Sequence, residues 1–203
     1  YIGDAIVAFY GAPAPVDDHE YWSCLTAVKM QDRLAELRSK WQEEGDRWPE
    51  IVHNMQNRIG INTGKLVTGN MGSTMRMNYT MMGDTVNLAA RLEASAKQYG
   101  IYIQVANETY AACKDKFIWR DLDYVIVMGK TEPAQVFELI SEVDKMPPGY
   151  DKLLPAYDKA IKLYRKQEWE KAIEAFKASD KLEDMFPGRK TNPSRVYIPR
   201  CEH

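Results

Sequence analysis

Tyr79-Thr80-Met81-Met82-Gly83-Asp84-Thr85-Val86-Asn87-Leu88-Ala89-Ala90-Arg91-Leu92-Glu93 is the stretch that decides how this chain folds. Residues 79–82 read as a short strand, and Gly83-Asp84-Thr85 ends it and opens a helix. Val86, Leu88, Ala89 and Leu92 give that helix an apolar face, and Gly100 marks its end. Asn87 and Arg91 stand four positions apart, so their side chains share another face. An amide beside a guanidinium on a packed helix suits a site that orients a ribose and neutralises phosphate charge. By spacing alone, the plainer reading of an exposed polar pair is favoured.

Upstream, residues 57–62 and 65–71 read as two strands around Thr63-Gly64, a hairpin signal, and residues 72–78 as a loop. A long helix precedes them. It is capped by Asp17 or Asp18, carries Trp22, Leu25, Val28, Leu34, Leu37 and Trp41 at three- and four-residue steps, and closes at Gly45. Residues 1–10 form a strand-like run with no initiating Met, so the chain reads as a fragment of something longer. Downstream come a buried strand at 101–105, a short helix at 107–113, and a strand pair at 117–127 and 133–140 around Gly129-Lys130. Alternating β and α elements with antiparallel hairpins predict an α+β fold layered on one sheet.

Met146-Pro147-Pro148-Gly149-Tyr150 is the best linker in the chain. The domain boundaries expected are 1–143 for the main domain, 144–150 for the linker and 151–203 for a helical tail. Within the tail, residues 157–183 are helical in pattern, with a break at 166–168. Ala160, Leu163, Trp169, Ala172, Ile173 and Phe176 supply its apolar face, which resembles one tetratricopeptide helix pair. Asp184 stands where that repeat often has its closing proline. A single repeat cannot bury its own face, so the tail should dock on the main domain or on a protein partner.

The 203 residues are 45% hydrophobic and 28% charged, with a net charge of −2, so nucleic acid is not an expected partner. No apolar run reaches the roughly 18 residues of a membrane span, and no signal peptide opens the chain. Cys24, Cys113 and Cys201 are odd in number and far apart, which argues for reduced thiols in a cytoplasmic setting. His19, His53 and His203 lack ligand spacing, so any metal must be held by oxygen. Two apparent phosphate loops fail on inspection. Gly60-Ile61-Asn62-Thr63-Gly64-Lys65-Leu66 is one residue short and has Leu66 in place of a hydroxyl, and Gly69-Asn70-Met71-Gly72 lacks a further glycine.

The combination of three motifs is more specific than any one. Tyr1-Ile2-Gly3-Asp4-Ala5-Ile6, then Arg58-Ile59-Gly60-Ile61-Asn62-Thr63-Gly64, then residues 82–93 resemble, in order and spacing, the class III nucleotide cyclases. The resemblance covers residues 1–141 and is to the C-terminal two-thirds of a catalytic domain of the bacterial adenylate cyclase type. It implies a ferredoxin-like sheet with helices, incomplete at the N-terminus, followed by the small helical extension. The implied reaction converts ATP to 3′,5′-cyclic AMP and pyrophosphate in signal transduction.

By that resemblance Asp4 matches the second of two aspartates that hold two Mg²⁺ or Mn²⁺ ions. Asn87 matches the group that positions the ribose, and Arg91 the one that stabilises charge at the attacked phosphorus. Thr80 falls where adenylate cyclases place Asp or Thr and guanylate cyclases usually place Cys. The other base-reading position would lie just before Tyr1, so guanylate cyclase is the alternative. Bacterial relatives commonly carry Lys-Gly-Lys in the closing hairpin, whereas here Met128 precedes Gly129 and Lys130. Lys130 is then the candidate triphosphate contact, with Arg58 as a further one. That change also leaves open a degenerate cyclase-like regulatory or dimerisation module.

The resemblance further implies a homodimer, with Asp4 from one subunit meeting Asn87 and Arg91 of the other. Met75-Arg76-Met77-Asn78-Tyr79 suits a buried contact surface, or ordinary core and loop packing. An upstream sensor, which in related proteins can include membrane spans, is expected outside this chain. With one metal aspartate, the fragment is expected to be inactive alone.

Overall fold

The computed structural model describes residues 3–73, 75–125, 133–184 and 189–202. In chain order it forms α1 (His19–Glu43), α2 (Glu50–His53), β1 (Ile59–Ile61), β2 (Val67–Ser73), β3 (Arg76–Met82) and α3 (Asp84–Tyr99). Then follow β4 (Ile103–Ala106), α4 (Asn107–Cys113), β5 (Phe117–Val125) and β6 (Ala134–Glu142). Three helices close it: α5 (Tyr150–Arg165), α6 (Trp169–Asp180) and α7 (Pro193–Glu202). This is a mixed α+β fold. No helix among the described residues is long and apolar enough to cross a membrane.

A four-stranded sheet runs in the order β1-β4-β6-β5, and β2 and β3 form a separate two-stranded sheet. β1 pairs with β4 in parallel; the β4–β6 and β5–β6 pairs are antiparallel. Period-two alternation sends Ile103 and Val105 to one face, with Cys24, Ala27 and Val28 of α1, Cys113 of α4, Phe117 and Leu139. The other face packs Leu88, Leu92, Ala96 and Tyr99 of α3 against Ala106, Leu122 and Val136, with Val196 of α7 joining them. Burying each such aliphatic or aromatic side chain stabilises the fold by about 1.5–3 kcal/mol.

Three expectations need correction. The hairpin lies one element later: Val67 pairs with Met82 and Ser73 with Arg76, while β1 is claimed by β4. Thr63-Gly64 is a connection because β1, at the edge of the four-stranded sheet, pairs in parallel with β4, a long-range pairing that overrides the local turn signal. Residues 3–10 do not form the expected strand; only Ala5 makes a single bridge, and Ile6 and Val7 are exposed. An apolar run without a ladder partner has nothing to satisfy its amides as a strand does. Finally, α5 starts at Tyr150, with Pro155 tolerated in its second turn, and α7 was not anticipated.

The helical tail packs on the chain in cis. α5, α6 and α7 share a core of Tyr157, Ala160, Ile161, Ala172, Phe176, Tyr197 and Cys201. Tyr197 donates its hydroxyl to the Leu122 carbonyl of β5 at 2.5 Å. Arg165 grips Asp121 of β5 with two hydrogen bonds of 2.5 and 2.6 Å. Beneath them Arg120 is fully buried between Glu138 of β6 and Glu183, with its guanidinium 5.1 Å from the Tyr157 ring centroid. Burial opposes the charge on Arg120, and the two carboxylates more than offset it, leaving its pKa above the ordinary arginine value.

Candidate active site

The start of α3 is fixed from two sides. Gly83 adopts φ 143°, a conformation that L side chains rarely take, where β3 turns into the helix. Thr85 donates its hydroxyl to the Lys65 carbonyl at 2.8 Å, and the Asn62 amide donates to the Thr85 carbonyl at 3.0 Å. The segment that mimics a phosphate loop therefore braces the helix start. Farther along, β1 and α3 approach so closely that a Cβ at Gly60 would collide with the Ala89 carbonyl and the Glu93 amide. Asn62, Thr85 and Gly60 were not singled out as site supports from sequence. Their signal was present in the tight Gly-x-Asn-Thr-Gly run beside a helix cap.

On this fixed helix Leu88 and Leu92 point into the core, while Asn87 and Arg91 are exposed on the other side. Among the described residues, neither side chain is engaged in a hydrogen bond or ion pair. A guanidinium without a carboxylate partner is available to an anion, and the neighbouring amide can both donate and accept. Thr80 is half-buried on β3, opposite Gly69 in the hairpin register, and α3 follows that strand directly. The structure thus brings Thr80, Asn87 and Arg91 onto one continuous β3–α3 unit.

The other predicted residues sit differently. Arg58 lies just before β1, with its Nε 3.3 Å from a Glu93 carboxylate on α3, so its charge is already partnered. Asp4 is exposed beside Gly3, in a segment tied down by Tyr10, which hydrogen-bonds Thr26 at 2.6 Å, and by Phe9, whose ring centroid lies 6.1 Å from that of Tyr79. Among the described residues Asp4 makes no hydrogen bond or ion pair with Asn87 or Arg91. Lys130, with Met128 and Gly129, lies outside the described residues.

A carboxylate such as Asp4 is the donor type that hard divalent cations prefer. Among the described residues, however, no group of three His, Cys, Asp or Glu side chains converges to hold a metal. Among the described residues the donor set around Asp4 is therefore incomplete. A shallow depression of about 350 Å³ on the outer side of α5, lined by Lys159, Lys162 and Lys166, contains none of the predicted residues. The candidate site on a single chain is open surface.

Comparison with known proteins places these elements in context. The profile of the family described as adenylate and guanylate cyclase catalytic domain matches residues 1–140. Adenylate cyclase 1 of Rhizobium meliloti (strain 1021) is 33% identical over 141 residues, covering 70% of this chain and 20% of that protein. The terminal-differentiation-specific adenylate cyclase of Dictyostelium discoideum is 32% identical over 212 residues, covering 99% of this chain and 9% of that protein. The chain therefore spans a fifth or less of the length of these two relatives. The crystal structure of the adenylyl cyclase CyaB from P. aeruginosa superimposes with a TM-score of 0.56 at 28% identity, covering 68% of each chain. Family profile, relatives and fold coincide on the stretch that carries Asn87 and Arg91, and this chain belongs to the adenylate and guanylate cyclase catalytic domain family.

Proposed function

We propose that residues 1–140 belong to an adenylate cyclase domain that forms 3′,5′-cyclic AMP and pyrophosphate from ATP. The observation that carries the reading is the Asn87–Arg91 pair, without a hydrogen-bond or ion-pair partner among the described residues, one turn apart on a helix braced by Asn62 and Gly60. Asn87 orients the ribose so that its 3′-oxygen faces the α-phosphate, and Arg91 stabilises the charge that grows on that phosphate. Positioning and electrostatic stabilisation are the main tools of phosphoryl transfer. Thr80 accepts a hydrogen bond from the adenine amino group, with Lys130 as a further phosphate contact; Arg58 would have to leave its Glu93 carboxylate to become another. Asp4 contributes one carboxylate towards a pair of Mg²⁺ or Mn²⁺ ions, which supply Lewis acidity at the phosphates.

A homodimer completes the site, with Asp4 of one protomer facing Asn87 and Arg91 of its partner. Two features support this. Among the described residues Asp4 makes no hydrogen bond or ion pair with Asn87 or Arg91 of its own chain, and the β2–β3 hairpin exposes Val67, Met75, Met77, Tyr79 and Met82. An isolated two-stranded sheet with an apolar surface is marginal in water and gains from a covering partner. The three free thiols suit a cytoplasmic location.

Guanylate cyclase is the second reading, since the family profile spans both activities. Met128 favours a third, a degenerate module that only dimerises. Supplying the complete natural protein with Mn²⁺ and either ATP or GTP separates them. The adenylate reading expects cyclic AMP as the dominant product. Dominant cyclic GMP moves the assignment to guanylate cyclase, and a dimer yielding neither product sinks both enzymatic readings.

A further inference from the structure

The helix that presents Asn87 and Arg91 is held at its far end by the tail. Tyr99, in the last turn of α3, donates its hydroxyl to Asp123 of β5 at 2.6 Å. Arg200 of α7 donates to the same carboxylate oxygen at 2.6 Å, and its guanidinium lies 5.7 Å from the Tyr99 ring centroid and 5.0 Å from that of Tyr197. Asp123 is thus a shared acceptor binding the catalytic helix to the tail.

The same junction is closed by backbone and core contacts. A Cβ at Gly100, immediately after α3, would collide with the Thr191 carbonyl, and Arg189 donates to the Gly100 carbonyl at 2.9 Å. Val196 of α7 packs in the cluster that contains Leu88 and Leu92, the inward neighbours of Asn87 and Arg91. A second connection crosses the sheet. Ser95 of α3 donates to Gln104 at 3.0 Å, Gln104 is registered against Glu138, and Glu138 pairs with Arg120, which pairs with Glu183 beyond α6.

From this arrangement we infer that the C-terminal helices position α3, with Arg200 as a positioning residue that sets the pose of Asn87 and Arg91 through Tyr99 and Asp123. The inference rests on the proposed catalytic roles of those two residues. A packed helix moves as a rigid rod, so releasing its last turn tilts the side chains two to three turns away. The match of the Dictyostelium discoideum cyclase across 99% of this chain, tail included, fits a tail built into the domain rather than a separable appendage.

The test compares wild type, Arg200→Ala and Arg200→Lys in the complete protein, by steady-state kinetics and by hydrogen exchange along α3. Arg200→Ala should lower kcat by roughly tenfold or more with KM within about twofold, because an ångström-scale misplacement of catalytic groups costs that much. Arg200→Lys, which keeps the charge near Asp123, should recover part of kcat. Amides in the second half of α3 should exchange faster in Arg200→Ala at temperatures where the protein stays folded. An unchanged kcat with a lowered melting temperature would mean a purely structural contact and overturn the inference. Should wild type form no cyclic nucleotide, the catalytic reading fails. Hydrogen exchange still judges the clamp: unaltered α3 protection in Arg200→Ala refutes it. If Arg200→Ala does not fold, Tyr99→Phe, which deletes only the hydroxyl, replaces it with the same expected losses and the same grounds for rejection.

Discussion

Alanine in place of Asn87 or Arg91 in the complete protein is expected to lower cyclic-nucleotide turnover on the order of 10²–10³-fold, as removal of a transition-state contact does. The loss should fall mainly on kcat, because Arg91 meets charge that is greatest in the transition state and Asn87 holds a reacting geometry. Stability should shift by no more than about 0.5 kcal/mol, since both side chains are exposed and alanine is the best helix former. That separation of effects distinguishes a functional pair from a decorative polar face. Turnover within about twofold of wild type would return both residues to the plainer reading.

Arg120→Ala is expected to produce the largest loss of stability in the chain. The Arg120 side chain is fully buried and paired with Glu138 of β6 and with Glu183, whose side chain is also fully buried. Removing the cation takes from Glu138 its buried partner and leaves Glu183 with Arg189 alone, 3.1 Å away, and a broken buried pair costs about 3–5 kcal/mol. Total stabilities of domains are about 5–15 kcal/mol, so the substitution threatens folding itself. Urea unfolding of wild type and Arg120→Ala measures the difference. Replacing Arg120, Glu138, Glu183 and Arg189 together with apolar residues of similar volume should cost much less, because the buried ion network is removed as a whole. A loss below about 1 kcal/mol for Arg120→Ala would show that the network contributes little to the seam between sheet and tail.

Most of the local structure was legible in the sequence because local signals specified it. The strand–Gly83–helix transition, the end of α3 at Gly100 and the bounds of α4 all follow from caps, glycines and apolar periodicity. Legibility failed where long-range pairing decided the outcome. Thr63-Gly64 looks like a hairpin turn, yet β1 is captured in parallel by β4, some forty residues later. Cys24 and Cys113 are distant in sequence and sit with their sulfurs 3.8 Å apart in the core. Nothing local marks Asp121, Asp123, Arg165 and Arg200 as a set, and they join the tail to β5.

The missed helix α7 is instructive in another way. Its start carries a clear signal, Asn192 followed by Pro193, and Asn192 does accept a hydrogen bond from the Arg195 amide as a cap should. Pro199 within the helix masked the pattern, since an interior proline argues against helix. For the site, residue chemistry was legible and placement was not. Asn87, Arg91 and Thr80 fall on one β3–α3 unit as the spacing implied, whereas nothing local reveals that the tail braces the end of that helix.

The central claim is that the reacting groups are contributed by two protomers, and mixing inactive variants of the complete protein tests it most directly. Asp4→Asn and Arg91→Ala should each be nearly inactive alone. Co-expressed in equal amounts, they should recover about a quarter of wild-type turnover, because half the dimers are mixed and each mixed dimer keeps one intact site of two. Mixed dimers no more active than either parent would contradict a site assembled across the interface.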